Sequence, residues 1–209
     1  MKGKGLFISF EGLEGSGKST QAGLLGSRLK EEGYEIVVTR EPGGTRIGEA
    51  IRDITHGKEN VDLTAVAEAY LMAASRAQHV REIIKPAFEA GKIVIADRYI
   101  DSSLAYQGYG RQLGEEVIEK LNNLALENMT PNLTFFLDLS VEIGFSRRNH
   151  SEKIDRLDLQ QKDFYDRVYA GYKKLADKYK TRFITIDSNK SIKEVAGEIW
   201  QDVRKRLAK

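Results

Sequence analysis

The chain has no cysteine in its 209 residues, and prolines that would interrupt helices are scarce. Without cysteine, disulfide bonds, zinc thiolate sites and cysteine nucleophiles are excluded, and we expect a reducing, cytoplasmic setting. Long apolar runs are missing too, since none approaches the roughly 20 residues of a membrane-spanning helix. The apolar run that ends at Phe10 leads into a glycine-rich loop, which favours a strand over a signal peptide.

The chain also has little net charge. The formal charge is only +2, and the lysines and arginines are interspersed with acidic residues along most of the chain. A nucleic-acid-binding protein usually carries a basic stripe, so neither nucleic acid nor a membrane is an expected partner. The length suits one α/β domain over residues 1–209 and is too short for two ordinary domains.

The chain does contain a regular alternation of apolar runs and helical patterns. The predicted strands are Leu6–Phe10, Ile36–Thr39, Ile93–Ala96, Leu133–Leu137 and Phe183–Ile186. The predicted helices are Lys18–Lys30, Ala65–Ala90, Glu115–Leu126, Leu159–Tyr179 and Ile192–Leu207. This alternation predicts an α/β fold with a five-stranded parallel sheet and helices on both faces. Ligands of such sheets bind at the carboxyl ends of the strands.

A phosphate-binding loop follows the first predicted strand. Its residues are Gly12, Leu13, Glu14, Gly15, Ser16, Gly17, Lys18 and Ser19, which fit G-x-x-x-x-G-K-[ST] at every defined position. The glycines allow backbone N–H groups to point at phosphate oxygens. Lys18 is predicted to reach the β- and γ-phosphates of ATP, and Ser19 to place its hydroxyl on Mg²⁺. The motif predicts a P-loop NTPase fold.

Other P-loop classes lack their own motifs in this chain. A GTPase carries N-K-x-D, but Asn189-Lys190 is followed by Ser191-Ile192, and no LSGGQ-like transporter signature is present. The chain is also short for a motor protein. Together with a basic segment near residue 150, these absences favour a nucleotide or nucleoside kinase.

Three further segments carry a family resemblance. Arg40–Thr45 follows the second predicted strand and precedes Arg52, Ala73–His79 lies in a long helix, and Asp97–Gly108 follows the third strand. With the loop variant Glu11–Gly15, these segments closely resemble the bacterial thymidylate kinases in order and spacing. The resemblance covers about residue 6 to the C-terminus. It implies transfer of the γ-phosphate of ATP to dTMP, giving dTDP and ADP with Mg²⁺ as cofactor.

The resemblance also implies an acceptor site. Positions matching Arg52 and Arg98 bind the monophosphate, for which planar guanidinium groups are well suited. Positions matching Arg76 and Ser103 bind the thymine edge, and the tyrosine matching Tyr106 packs under the sugar and disfavours a 2′-hydroxyl. The complete implied set is Glu41, Pro42, Arg52, Met72, Arg76, Arg98, Ser103, Tyr106 and Gln107.

Catalysis is expected to depend on positioned charges, which are Lys18, Glu14, Asp97, Arg98, Arg147 and Arg156. Glu14 matches an acidic residue near the deoxyribose, and Asp97 is expected to join Ser19 at the metal, partly through water. A short mobile lid over about residues 145–158 is expected to supply Arg147 and Arg156 to the transferred phosphoryl group. The family is commonly homodimeric, so a homodimer is also implied.

One position departs from the family pattern. Four residues before Arg76 the family usually has an aromatic residue, and this chain has Met72, whose sulfur can still pack on a ring face. Two rival functions remain open at this point. One is another small kinase, for deoxynucleosides or cytidylate, against which the two phosphate-binding arginines argue. The other is a non-catalytic ATP-dependent switch, against which the acceptor motifs argue.

Overall fold

The computed structural model describes residues 5–148, 156–157 and 159–208. Within these residues, five parallel strands form one sheet in the order β2-β3-β1-β4-β5. The strands are β1 (Leu6–Glu11), β2 (Ile36–Arg40), β3 (Ile93–Asp97), β4 (Leu133–Asp138) and β5 (Phe183–Asp187). The predicted strands and parallel sheet are confirmed. Each strand extends one residue beyond its predicted end, and that last residue is always charged.

The helices of the described residues are α1 (Lys18–Glu31), α2 (Arg46–His56), α3 (Ala65–His79), α4 (Lys85–Glu89), α5 (Ile100–Ser103), α6 (Glu115–Leu126), α7 (Val141–Arg148), α8 (Lys162–Lys178) and α9 (Ile192–Leu207). The predicted bounds of α6 and α9 are confirmed. The single helix predicted over 65–90 is wrong in one respect, because a π-helical segment, Val80–Ile84, separates α3 from α4. A second π-helical segment, Leu104–Gly110, extends α5.

Helices cover both faces of the sheet, as predicted. Alternate residues of a strand point to opposite faces, so Phe7 and Ile8 enter different clusters. Phe7 packs in a cluster that includes Ala69 of α3, Ile118 of α6 and Val168 of α8. Ile8 packs in the other cluster, which combines side chains of α1 and α9. The sheet is therefore packed on both faces between helical layers.

Three predicted motifs meet at this edge because neighbouring parallel strands end side by side. The phosphate loop follows β1, a cis Glu41-Pro42 peptide follows β2, and Arg98 follows β3. β1 pairs with β3, which in turn pairs with β2. No helix of the described part of the chain is both long and apolar enough to cross a membrane. Most of the predicted lid, residues 149–155 and 158, lies outside the described residues.

Candidate active site

The phosphate loop has the backbone that its glycines predict. Gly12, Gly15 and Gly17 have φ angles of 140°, 75° and 89°, which only glycine adopts without strain. A Cβ atom at Gly12 would also lie 2.7 Å from the Leu137 carbonyl oxygen. α1 begins at Lys18 directly after the loop. The N–H groups and positive dipole end of this helix therefore face the loop, which favours a bound phosphate.

Lys18 is buried at the base of this loop. Its side-chain ammonium donates to the Leu13 carbonyl oxygen at 2.8 Å. The pKa of Lys18 is lowered to about 8, mainly by burial and secondly by the positive charge of Arg98. A bound phosphate would supply the negative charge that this ammonium group needs, and it would raise the pKa again. The position therefore suits the predicted contact with the phosphates of ATP.

The two predicted metal ligands are in direct contact. The Ser19 hydroxyl donates to the Asp97 carboxylate, which is the last residue of β3. Both are hard oxygen ligands of the kind that Mg²⁺ prefers. The described residues contain no cluster of three or more histidine, aspartate or glutamate side chains that could hold a metal. This donor set fits a Mg²⁺ ion that takes its remaining ligands from water and substrate phosphates.

A cleft opens beside the loop and is bounded by the ends of β2 and β3 and by α3. Every residue predicted for the acceptor site lines this cleft except Arg52. Those lining residues are Glu41, Pro42, Met72, Arg76, Arg98, Ser103, Tyr106 and Gln107. Glu14, His56, Ser102 and Leu157 complete much of the wall.

Arg98 connects the phosphate loop to the cleft. Its Nη1 donates to the Gly12 carbonyl oxygen at 3.0 Å, and its Nη2 donates to Glu14 Oε1 at 2.5 Å. The guanidinium also lies over the Tyr106 ring, 5.0 Å from the ring centroid. The residue has a φ of 71°, an unusual value for a side chain that is not glycine. Its surroundings therefore hold the guanidinium at the junction of the two predicted substrate sites.

Arg52 lies just behind the cleft wall. Its Nη1 donates to the Pro42 carbonyl oxygen at 3.1 Å. Burial is the main factor that lowers the pKa of Arg52. The positive charge of Arg40 lowers it further, and the charge of Arg98 acts in the same direction. Arg52 and Arg98 are therefore close enough for their positive charges to repel. An anion such as an acceptor phosphate would relieve that repulsion.

The far end of the cleft holds a buried polar network centred on Arg76. Its Nε donates to Glu41 Oε2 at 2.9 Å, and its Nη1 donates to Ser103 Oγ at 3.1 Å and to Asn122 Oδ1 at 2.5 Å. His79 contacts the second oxygen of Glu41 at 2.9 Å. Arg76 and Ser103, predicted together, do lie together. This network fixes the orientation of the guanidinium at the cleft wall.

The remaining cleft residues lie on α3 and on the π-helical segment after α5. Met72 precedes Arg76 by one helical turn, so both lie on the same face of α3. The Gln107 amide donates to Glu68 Oε1 at 2.7 Å, and Glu68 is completely buried. The Tyr106 hydroxyl accepts from Arg98 Nη2 at 3.2 Å. These contacts hold Tyr106 and Gln107 against the cleft.

The structure separates the two predicted lid arginines. Arg147, on α7, donates to the Gly15 carbonyl oxygen at 3.4 Å and to the Ser188 carbonyl oxygen at 3.1 Å. Arg156 is buried and forms an ion pair with Glu68. None of its hydrogen bonds to described residues reaches the phosphate loop. Arg147 therefore lies at the phosphate loop, Arg156 lies near the acceptor cleft, and the catalytic role of each stays a prediction.

The residues of this site fall within a match between the sequence and a model of a known protein family. A family model described as thymidylate kinase matches residues 10–199. The chain belongs to the thymidylate kinase family. The matched residues run from the end of β1 to α9 and include both the phosphate loop and the acceptor cleft.

Individual thymidylate kinases are similar over nearly their whole length. The chain is 48% identical to the thymidylate kinase of Halothermothrix orenii over 209 residues, which cover 99% of this chain and 100% of that protein. It is 45% identical to that of Geobacillus thermodenitrificans over 97% of this chain and 91% of that protein. The crystal structure of thymidylate kinase from Ehrlichia chaffeensis matches with a TM-score of 0.79 at 34% identity, covering 96% and 98% of the two chains.

Several charged residues that support this thymidylate kinase site were not predicted from the sequence. Glu68 holds Gln107 and pairs with Arg111 and Arg156. Burial favours the neutral form of Glu68, but the charge of Arg111 and the hydrogen bond from Arg156 outweigh it and lower the pKa. The helical spacing offered a signal, because Glu68 precedes Met72 by one turn of the same helix. Glu11 offered another signal, as a carboxylate directly after a buried strand.

Proposed function

We propose that the protein transfers the γ-phosphate of ATP to dTMP and releases dTDP and ADP. The observation that carries the proposal is the position of Arg98, whose guanidinium contacts the phosphate loop and also lines the acceptor cleft. A group at this junction can neutralise charge on both substrates. Family membership and the acceptor motifs support dTMP as the acceptor.

The chemistry is a direct in-line transfer. An oxygen of the dTMP phosphate attacks the γ-phosphorus of ATP while the bond from that phosphorus to the β–γ bridging oxygen breaks. The acceptor is already anionic, so no strong general base is required. Lys18, Arg98 and Arg147 lower the barrier by positioning the phosphates and neutralising their charge. Mg²⁺, held through Ser19 and Asp97, would neutralise phosphate charge when bound.

Recognition of thymine follows from the buried network at the other end of the cleft. Arg76 and Ser103 present hydrogen-bond donors to the base edge, and Gln107 lies beside it. Met72 supplies an apolar, polarisable wall on which a pyrimidine ring can pack. Tyr106 packs beneath the sugar and disfavours a 2′-hydroxyl. Glu14 approaches the deoxyribose and the phosphates between the two substrates.

The quaternary structure we propose is a homodimer formed through α2, α3 and α6, in which α2 and α6 each pack against α3. Each of these helices exposes large apolar side chains. Among them are Ile54 at 45% exposure, Val66 at 53%, Tyr70 at 63% and Leu124 at 89%. A second copy of the chain would bury this surface. Sedimentation of the protein and of Leu124→Glu tests the proposal, and a monomeric wild-type protein would contradict it.

The decisive experiment for the activity is a coupled ADP-release assay with thymidine, dTMP, dUMP and dCMP. We expect dTMP to be the best acceptor and thymidine to be very poor, because thymidine lacks the phosphate that Arg52 and Arg98 bind. The missing methyl group of dUMP is worth about 1–3 kcal/mol in an apolar pocket. Lys18→Ala should remove most activity and preserve the circular dichroism spectrum. Equal turnover of thymidine and dTMP, or ADP release that ignores the acceptor, would overturn the proposal.

A further inference from the structure

Glu11 is a completely buried carboxylate at the end of β1, directly before the phosphate loop. Its Oε1 accepts from the backbone N–H of Tyr99 at 2.8 Å. Its Oε2 accepts from the hydroxyls of Ser102 at 2.5 Å and Tyr172 at 3.1 Å. No lysine or arginine among the described residues forms an ion pair with it. A buried charge without an ion-pair partner is costly, so its hydrogen bonds require an explanation.

The same two hydroxyls also contact Arg98. Nη1 of this arginine donates to Ser102 Oγ at 3.0 Å and to the Tyr172 hydroxyl at 3.2 Å. A guanidinium only donates, and a hydroxyl has one hydrogen and two lone pairs. Each hydroxyl that accepts from Arg98 must therefore direct its own hydrogen elsewhere.

The hydrogens of both hydroxyls lead to Glu11. Ser102 and Tyr172 lie 2.9 Å apart, so one hydroxyl can donate to the other. Either both hydroxyls donate to Glu11 Oε2, or one donates to the other and the second donates to Glu11 Oε2. An ionised carboxylate offers only acceptors, and it satisfies both hydroxyls and the Tyr99 N–H together. A glutamine at position 11 would have to direct its NH₂ group, which only donates, either at the two hydroxyls or at the Tyr99 N–H.

We propose that Glu11 is a positioning residue that holds Arg98 in its phosphate-binding orientation through the hydroxyls of Ser102 and Tyr172. The inference rests on the proposed function, because it takes Arg98 as a ligand of the acceptor phosphate. The left-handed backbone of Arg98 supports it, since a residue in that region needs its surroundings to hold it. The pKa of Glu11 is raised to about 7, mainly by burial and secondly by the negative charge of Asp101. The ionised carboxylate is thus unfavourable for the fold itself, which argues against a purely structural role.

The test is a double-mutant cycle with Glu11→Gln, Arg98→Ala and the double variant. The dissociation constants for dTMP and ATP are measured by isothermal titration calorimetry. We expect Glu11→Gln to weaken dTMP binding about tenfold while changing ATP binding less than about twofold, and to add little in the Arg98→Ala background. The same loss in both backgrounds would show that Glu11 does not act through Arg98.

A second pair of variants keeps the test decisive if Glu11→Gln does not fold. Tyr172→Phe removes one connecting hydroxyl and replaces Glu11→Gln in the cycle. Tyr169→Phe is its matched control on α8, because its hydroxyl donates to Asp138 Oδ1 at 2.9 Å. We expect Tyr172→Phe to weaken dTMP binding several-fold and Tyr169→Phe to leave it unchanged. Equal effects of the two variants would overturn the inference.

Different experimental results would contradict this inference and the proposed function. A wild-type protein that binds dTMP without phosphorylating it contradicts the proposed function alone. Additive effects of the Glu11 and Arg98 changes contradict the positioning role alone. The unfolding free energies of the same variants provide a cycle without ligand, in which coupled sites give a non-additive double variant. Additive stabilities would again overturn the connection between the two residues.

Discussion

Arg76 and Glu41 form an ion pair inside the protein, with Nη2 2.7 Å from a carboxylate oxygen and both side chains no more than 4% exposed. Glu41 follows β2 and Arg76 lies in α3, so the pair connects the sheet to the helix that lines the acceptor cleft. His79 contacts the same carboxylate from the other side, at 2.9 Å. The guanidinium is therefore oriented before any ligand binds, which lowers the entropic cost of recognition.

The first prediction concerns this pair. Arg76→Ala should weaken dTMP binding far more than ATP binding, and it should also lower stability by about 3–5 kcal/mol because it leaves a buried carboxylate uncompensated. Titration of each nucleotide and urea unfolding measure the two effects. Arg40→Ala is the control, because it breaks an exposed pair with Glu49 and should cost less than about 1 kcal/mol. Ser103→Ala removes a base-edge partner without stranding a charge. Equal losses for dTMP and ATP would mean that Arg76 is only structural.

Met72 gives the second prediction. Met72→Phe should tighten dTMP binding or leave it unchanged, because a ring on this face of α3 could stack on the base for about 0.5–1.5 kcal/mol. Met72→Leu is the matched control, since it keeps an apolar side chain and removes the sulfur without adding a ring. Calorimetric titration with dTMP provides the comparison. A large loss in a folded Met72→Phe protein would show that the cleft is built around methionine.

The sequence predicts the sheet better than the helices around it. Apolar runs identify the strand interiors but not their ends, so the closing charged residues Glu11 and Asp138 fall outside the predicted bounds. α2 was not predicted, because Arg46–His56 is mostly polar and begins only one residue after the glycine pair Gly43-Gly44. The π-helical segments depend on side-chain packing that no local spacing reveals.

For the candidate site, the sequence likewise predicts one group of residues and misses another. Motif residues such as Arg98 and Gln107 were predicted to lie at one cleft, and both line it. The residues that support them were missed, because their partners are distant in sequence. Glu68 pairs with Arg156, 88 residues further along the chain. Helical spacing can place Glu68 on the face of Met72, but only the folded chain brings its partner Arg156 beside it.

A third prediction concerns pH. The raised pKa of Glu11, about 7 against an ordinary 4.5, means that the folded protein binds this proton more tightly than the unfolded chain does. The contribution of Glu11 to the free energy of unfolding should therefore fall as pH rises from about 4.5 to 7, by at most about 3 kcal/mol, and stay constant above that. Glu11→Gln removes this dependence, so its stability relative to wild type should increase over the same interval.

Urea unfolding of the wild-type protein and Glu11→Gln at several pH values between 4.5 and 8 checks this expectation. Glu35→Gln is the control, since that carboxylate is 78% exposed and its replacement should leave the pH profile of stability parallel to wild type. A parallel profile for Glu11→Gln as well would contradict the raised pKa.

The last prediction assigns the cation at the transferred phosphoryl group. The variable positions of the phosphate loop, Leu13–Ser16, contain no basic residue, so the cation must come from elsewhere. Arg147 lies against the loop at Gly15 and is solvent-exposed, so its removal should lower kcat strongly without lowering the unfolding temperature. Arg156 is buried beside Glu68, so Arg156→Ala should lower both kcat and the unfolding temperature.

Steady-state kinetics and thermal unfolding of both variants separate these effects, with Arg204→Ala, an exposed arginine of α9, as the control. The dTMP dissociation constant should change much less than kcat in both variants, because the charge that these arginines stabilise develops only in the transition state. If both variants keep near-normal kcat, neither arginine supplies the cation. If only Arg156→Ala loses activity, and loses it in proportion to folded protein, the effect is one of stability. A loss of kcat in folded Arg147→Ala would identify Arg147 as the source.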